Sequence, residues 1–83
     1  MAATANDIRG WFDSGFAQEM PRMIVWCDTF DWSDYPEYTD LTGSALREYV
    51  AEENGKNMKQ LMEVYDLNLD RESQMSERRA FHY

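Results

Sequence analysis

The longest uninterrupted apolar stretch in this chain is Met23-Ile24-Val25-Trp26-Cys27, only five residues. That length suits a strand and falls far short of the roughly 18 apolar residues that cross a membrane as a helix. The stretch is β-branched and aromatic. Pro21 precedes it and the polar run Asp31-Trp32-Ser33-Asp34 follows it, which predicts a strand over residues 22–30. Tyr35-Pro36-Glu37-Tyr38-Thr39 is expected to return as a second strand. Pro36 has no N–H to give to a ladder, so this strand is placed at an edge. A two-stranded antiparallel hairpin is marginal alone, so it needs helices on one face or extension by a partner.

The helical segments follow from spacing. Ile8, Trp11, Phe12, Gly15 and Phe16 recur at i, i+3, i+4, i+7 and i+8, one face of an amphipathic helix. Thr4 or Asn6 suits its N-cap and Asp7 the positive end of its dipole, while Pro21 closes the segment. Gly15 either weakens this helix or lets a neighbouring element approach closely. Thr42-Gly43-Ser44 opens a second helix with Leu46, Tyr49 and Val50 on one face, and Asn54-Gly55 stops it. Met58, Leu61, Met62 and Tyr65 repeat the i, i+3, i+4, i+7 pattern and predict a third helix. Asp70 is a suitable cap for a last, polar helix running to Arg79, which either frays or docks on a partner. The expected fold is α+β, in the order α-β-β-α-α(α). It is a hairpin packed by three to four helices in a single domain over residues 1–83.

A core of this size is small, and chains this short are often reinforced by disulfides, a metal or a partner chain. Cys27 is the only cysteine, so no disulfide forms within the chain. Its place in the apolar strand predicts a buried, inert thiol. The first seven residues carry no charged or apolar targeting pattern. Together with the lone cysteine, this makes a reducing cytosol the expected compartment.

The 83 residues include 16 acidic and 8 basic side chains, a net charge of −8. Between residues 28 and 53 stand Asp28, Asp31, Asp34, Glu37, Asp40, Glu48, Glu52 and Glu53 against the single base Arg47, so −7 of the −8 lies in about a third of the chain. From Asp28 to Asp40 the acids fall every third residue, with Phe30, Trp32, Tyr35 and Tyr38 interleaved. Such a balance disfavours direct binding to DNA, RNA or anionic lipid, and favours a basic protein or nucleoprotein complex. Charge on edge strands and turns also guards against aggregation, and that plainer reading stands beside the first. Trp32, at an expected turn among acids, favours a binding surface in which carboxylates meet Arg or Lys and aromatics act as anchors. The expected partner-binding set is Asp28, Asp31, Trp32, Asp34, Tyr35, Glu37, Tyr38, Asp40, Glu48, Glu52 and Glu53.

Catalysis finds little support. The one histidine, His82, stands far from any nucleophile–base pattern, and one His with one Cys makes no zinc set. Asp28, Asp31 and Asp34 lack the alternating ligands and glycine of an EF-hand loop. No phosphate-binding or dinucleotide fingerprint is present. No catalytic residue, metal or cofactor is therefore expected, and a small enzyme or metal protein ranks last among the readings. A homodimeric assembly module with a merely solvated acidic face ranks above it.

The runs Trp11-Phe12-Asp13-Ser14-Gly15 and Met23-Ile-Val-Trp-Cys-Asp-Thr-Phe-Asp-Trp-Ser-Asp-Tyr-Pro36 resemble a small family of uncharacterised proteins encoded by phages and prophages. The likeness continues through Met62-Glu-Val-Tyr65 to Arg79-Ala-Phe-His-Tyr83. The resemblance implies a mobile-element protein acting in the cytoplasm of a bacterial host cell, with no functional residue to carry over. By analogy with small acidic proteins of that origin, the expectation is an inhibitor of a nucleic-acid-handling host protein. Its role would be anti-CRISPR or anti-restriction in kind, some such inhibitors imitating nucleic-acid charge.

Overall fold

A computed structural model describes residues 3–83. In chain order the elements are α1 (Ala5–Ala17), β1 (Arg22–Asp28), β2 (Ser33–Thr39), α2 (Gly43–Glu53), β3 (Lys59–Asp66) and α3 (Arg71–Met75). The sheet is antiparallel with order β2-β1-β3. The α+β class holds, with three helices among the described residues, and β2 lies at an edge. The two-stranded hairpin is corrected to three strands, because the segment expected as a third helix is β3.

The cause of that difference lies in the register. Val25 pairs with Glu63, but the next residue, Trp26, pairs with Leu61, so Met62 is a bulge residue with no opposite number on β1. One inserted residue shifts the alternation of faces. Leu61 and Val64, three apart, share one face of the sheet, while Met62 and Tyr65 share the other. The bulge thus reproduces in a strand the apolar spacing of a helix.

β1 explains the apolar run. Met23 and Val25 join Phe12, Tyr65, Leu67 and Ala80 in one core cluster, beneath Ile8 and Trp11 of α1 and Met75 of α3. Ile24 and Trp26 join Leu46, Val50 and Val64 in a second, on the α2 side. The strand is covered on both faces, so every position from Met23 to Cys27 is buried and no polar residue alternates in. The fold is three layers: α1 and α3, the sheet, and α2.

Local signals set the ends. Thr4 and Asp7 form a reciprocal capping box at the start of α1, each side chain accepting from the other's backbone N–H. Gly15 lets α1 close onto Tyr38, whose hydroxyl donates to the Trp11 carbonyl at 2.7 Å. Gly55, at φ +88°, turns the chain after α2. The last helix is shorter than the expected Asp70–Arg79. Asp70 does cap it, accepting from the Ser73 N–H, but the chain leaves the helix after Met75 and runs back along β3. There Val64 donates to the Ala80 carbonyl, His82 donates to Val64, and Phe81 bridges Val64 in parallel. Among the described residues, no helix is long and apolar enough to cross a membrane.

Candidate functional site

The β1–β2 connection is four residues, Thr29 to Trp32, closed by the Trp32 N–H donating to the Asp28 carbonyl at 2.7 Å. Asp28 and Asp31 brace it from within, accepting from the backbone N–H groups of Phe30 and Ser33 at 2.8 and 3.0 Å. Those Asx contacts are why Asp recurs here. The Ser33 amide also holds the Asp31 carboxyl below its ordinary range. Trp32 closes the loop in the left-handed region at φ +62°, where a bulky L-residue is strained. A second strained turn lies alongside. Asn57 and Met58 both adopt positive φ, and the Met58 carbonyl accepts from the Thr29 N–H and hydroxyl. The two loops are joined at one end of the sheet.

That end carries exposed apolar side chains. Phe30 is 78% exposed, Trp32 61% and Met58 59%. Beside them, on the α1 side of the sheet, a cavity of about 460 Å³ is lined by Cys27, Asp31, Trp32, Asp34, Gln60, Met62 and Arg79. Asp34 stands opposite Cys27 in the β1–β2 register, and its carboxylate accepts from the Ala3 N–H at 3.1 Å. Burial, then the Asp34 carboxylate, raises the Cys27 thiol above its usual range, so it stays protonated and a poor nucleophile. Among the described residues, no three His, Cys, Asp or Glu side chains converge to hold a metal ion.

The eleven residues expected at a partner surface separate into groups. Asp31, Trp32 and Asp34 meet at the cavity. Asp28 works as a loop brace beside them. Glu37 lies on the opposite face of the sheet and is occupied internally. It accepts from Trp26 Nε1–H at 2.8 Å and from the Tyr49 hydroxyl at 2.6 Å, which ties β1, β2 and α2 together. Tyr49 is pushed up to about 12, first by this hydrogen bond to Glu37 and then by burial. Tyr38 is engaged with α1. Glu53 pairs with Lys59 at 3.0 Å, which lowers the Glu53 carboxyl, and Lys59 Nζ lies 4.7 Å from the Trp26 ring centre. Glu52 reaches Lys56 at 3.9 Å on the solvent face of α2. Tyr35, Asp40 and Glu48 are exposed away from the cavity lining. The acidic segment is therefore not one continuous surface. The fold divides it among the loop end, β2 with the residue after it, and α2.

Phe30, Met58, Cys27, Gln60, Met62 and Arg79 were outside the expected set. Phe30 was visible as one of the interleaved aromatics. The others arrive only through tertiary structure: β3 brings Gln60 and Met62, and the segment after α3 brings Arg79. No family model, curated protein or solved structure matches the chain.

Proposed function

We propose that this is a non-enzymatic binding protein of mobile-element type that engages a basic, nucleic-acid-handling host protein through its loop end. The carrying observation is the grouping of exposed Phe30, Trp32 and Met58 with the carboxylates of Asp31 and Asp34. Three large apolar side chains held in water at one end of a small domain are costly unless something covers them. A Trp fixed in a strained loop is a typical anchor for a partner pocket, and carboxylates around it select for positive charge. The host compartment is a bacterial cytoplasm, and the consequence of binding is inhibition or modulation of the partner, as anti-CRISPR and anti-restriction proteins act.

The test is capture of the partner from a bacterial host lysate at low and high salt, with three variants. Phe30→Ser with Trp32→Gly, and separately Asp31→Lys with Asp34→Lys, should each abolish capture, while Glu48→Lys with Glu52→Lys should leave it intact. Capture by the wild type should fall with added salt, because exposed charges are screened within about 8 Å at physiological ionic strength. Capture lost only in the α2 variant would move the surface to the helix and defeat this reading. Glu37 is left unchanged because its loss would undock α2.

A further inference from the structure

We propose that the cavity at the loop end receives one arginine side chain of the basic partner. This rests on the reading that the loop end is the binding surface, and it names what that surface reads. The cavity, about 460 Å³, has ample room for one guanidinium and its three-carbon stem. Its lining matches both halves of that side chain. Met62 and Cys27 offer apolar wall to the stem, Trp32 offers an aromatic surface, and Asp31 and Asp34 offer two carboxylates. Guanidinium is suited to this combination because it is planar, stacks on aromatic rings and donates to carboxylates in a fork. An ammonium group, compact and strongly hydrated, gains less from the aromatic and apolar walls.

The carboxylates are positioned rather than loose. The Ser33 amide fixes one Asp31 oxygen and the Ala3 amide fixes one Asp34 oxygen, and the Asp34 carboxylate also lies within reach of the Cys27 thiol. Among the described residues, Arg79 is the one cation in the lining. Its guanidinium is directed to the carbonyls of Leu61 and Met62, at 3.1 and 3.4 Å, and lies 5.4 Å from the Phe81 ring centre. Among the described residues, neither Arg79 nor another cation forms an ion pair with Asp31 or Asp34.

The experiment uses the full chain, labelled with ¹⁵N, and titrates N-acetyl-arginine amide. The matching lysine and citrulline compounds serve as controls. Citrulline keeps the shape of arginine without its charge. Arginine should shift the Trp32 indole signal and the Asp34 and Gln60 amides, lysine should do so less, and citrulline should not. The double variant Asp31→Asn, Asp34→Asn keeps the loop braces while removing the charge, and should weaken the arginine response about tenfold. Equal responses to citrulline and arginine, shifts confined to α2, or no shift at all would overturn the proposal. Capture of the host partner separates the two levels. If the Asn double variant captures the partner as well as wild type while Phe30→Ser with Trp32→Gly does not, the binding end stands and the arginine cavity falls. If both variants capture normally, the functional reading falls with it.

Discussion

Gly15 and Gly10 lie five residues apart in α1 and should respond oppositely to the same substitution. A Cβ at Gly10 meets nothing within 4 Å, so Gly10→Ala should stabilise the protein by roughly 0.5–1 kcal/mol through lost freedom of the unfolded chain. A Cβ at Gly15 would stand 2.6 Å from Tyr38 Cε1 and 2.8 Å from Leu67 Cδ1. Both are core neighbours, so the helix must move away, and overpacking of this kind costs about 1–3 kcal/mol. Urea midpoints of the two variants should therefore move in opposite directions. Trp32 gives a third residue-scale prediction. Relief of its left-handed strain is worth about 1 kcal/mol, so Trp32→Gly should unfold at an equal or higher urea concentration while binding is lost. A Trp kept at a conformational cost and left 61% exposed is better explained by contact with a partner than by folding. This residue was legible in the sequence as a Trp at a turn among acids. Glu37 and Tyr38 look the same in the sequence, yet both are internal. What decides their fate is Tyr49 and Trp11, partners 12 and 27 residues away that no local pattern reveals.

At the scale of elements, the helices α1 and α2 and the strands β1 and β2 were legible because caps, breakers and apolar spacing agreed. The strand β3 was not, because its bulge at Met62 gives the apolar residues a helical spacing. A clue lay elsewhere in the chain: five consecutive apolar residues in β1 imply a central strand covered on both faces, which a two-stranded hairpin does not provide. The attachment of α2 to this sheet makes a prediction about alkali. Tyr49 donates to Glu37 only while protonated, and its folded-state value of about 12 lies above the unfolded value near 10. Its stabilisation is therefore complete below about pH 10 and is lost as pH rises through about 12. Tyr49→Phe should cost about 1.5 kcal/mol at neutral pH, as for a hydrogen bond to a charged group. It should also flatten the fall in stability between about pH 10 and 12. Tyr65 is also raised, by burial and then by Glu63, so it adds to the fall in stability above about pH 10, but it does so in both proteins and cancels from their difference. Urea denaturation of both proteins across this range measures the difference.

The whole molecule is a small sheet whose two edges are treated differently. The outer edge of β2 carries Pro36 and faces no other strand, whereas β3 is covered by the segment after α3. That segment also joins the two cores. Ala80 is fully buried with the α1-side cluster, and Tyr83 packs on the α2-side cluster beneath Arg47, whose guanidinium lies 5.1 Å from its ring centre. Arg22 adds to the join, donating to the Tyr83 carbonyl at 3.1 Å and pairing with Asp66 at 3.2 Å. Removing residues 80–83 would erase two backbone hydrogen bonds to Val64, each worth about 1 kcal/mol net, and would uncover apolar surface on both sides of the sheet. The expected loss is about 3–4 kcal/mol, a large share of the stability of a domain this small. The truncated chain should unfold at a clearly lower urea concentration. It should also associate at micromolar concentration through the bared edge of β3, which sedimentation would detect. A truncated chain that stays monomeric and as stable as the full one would show that the sheet and helices hold together without this strap. The loop end, at the opposite end of β1 from the Arg22–Asp66 pair, would then be carried by the three layers alone.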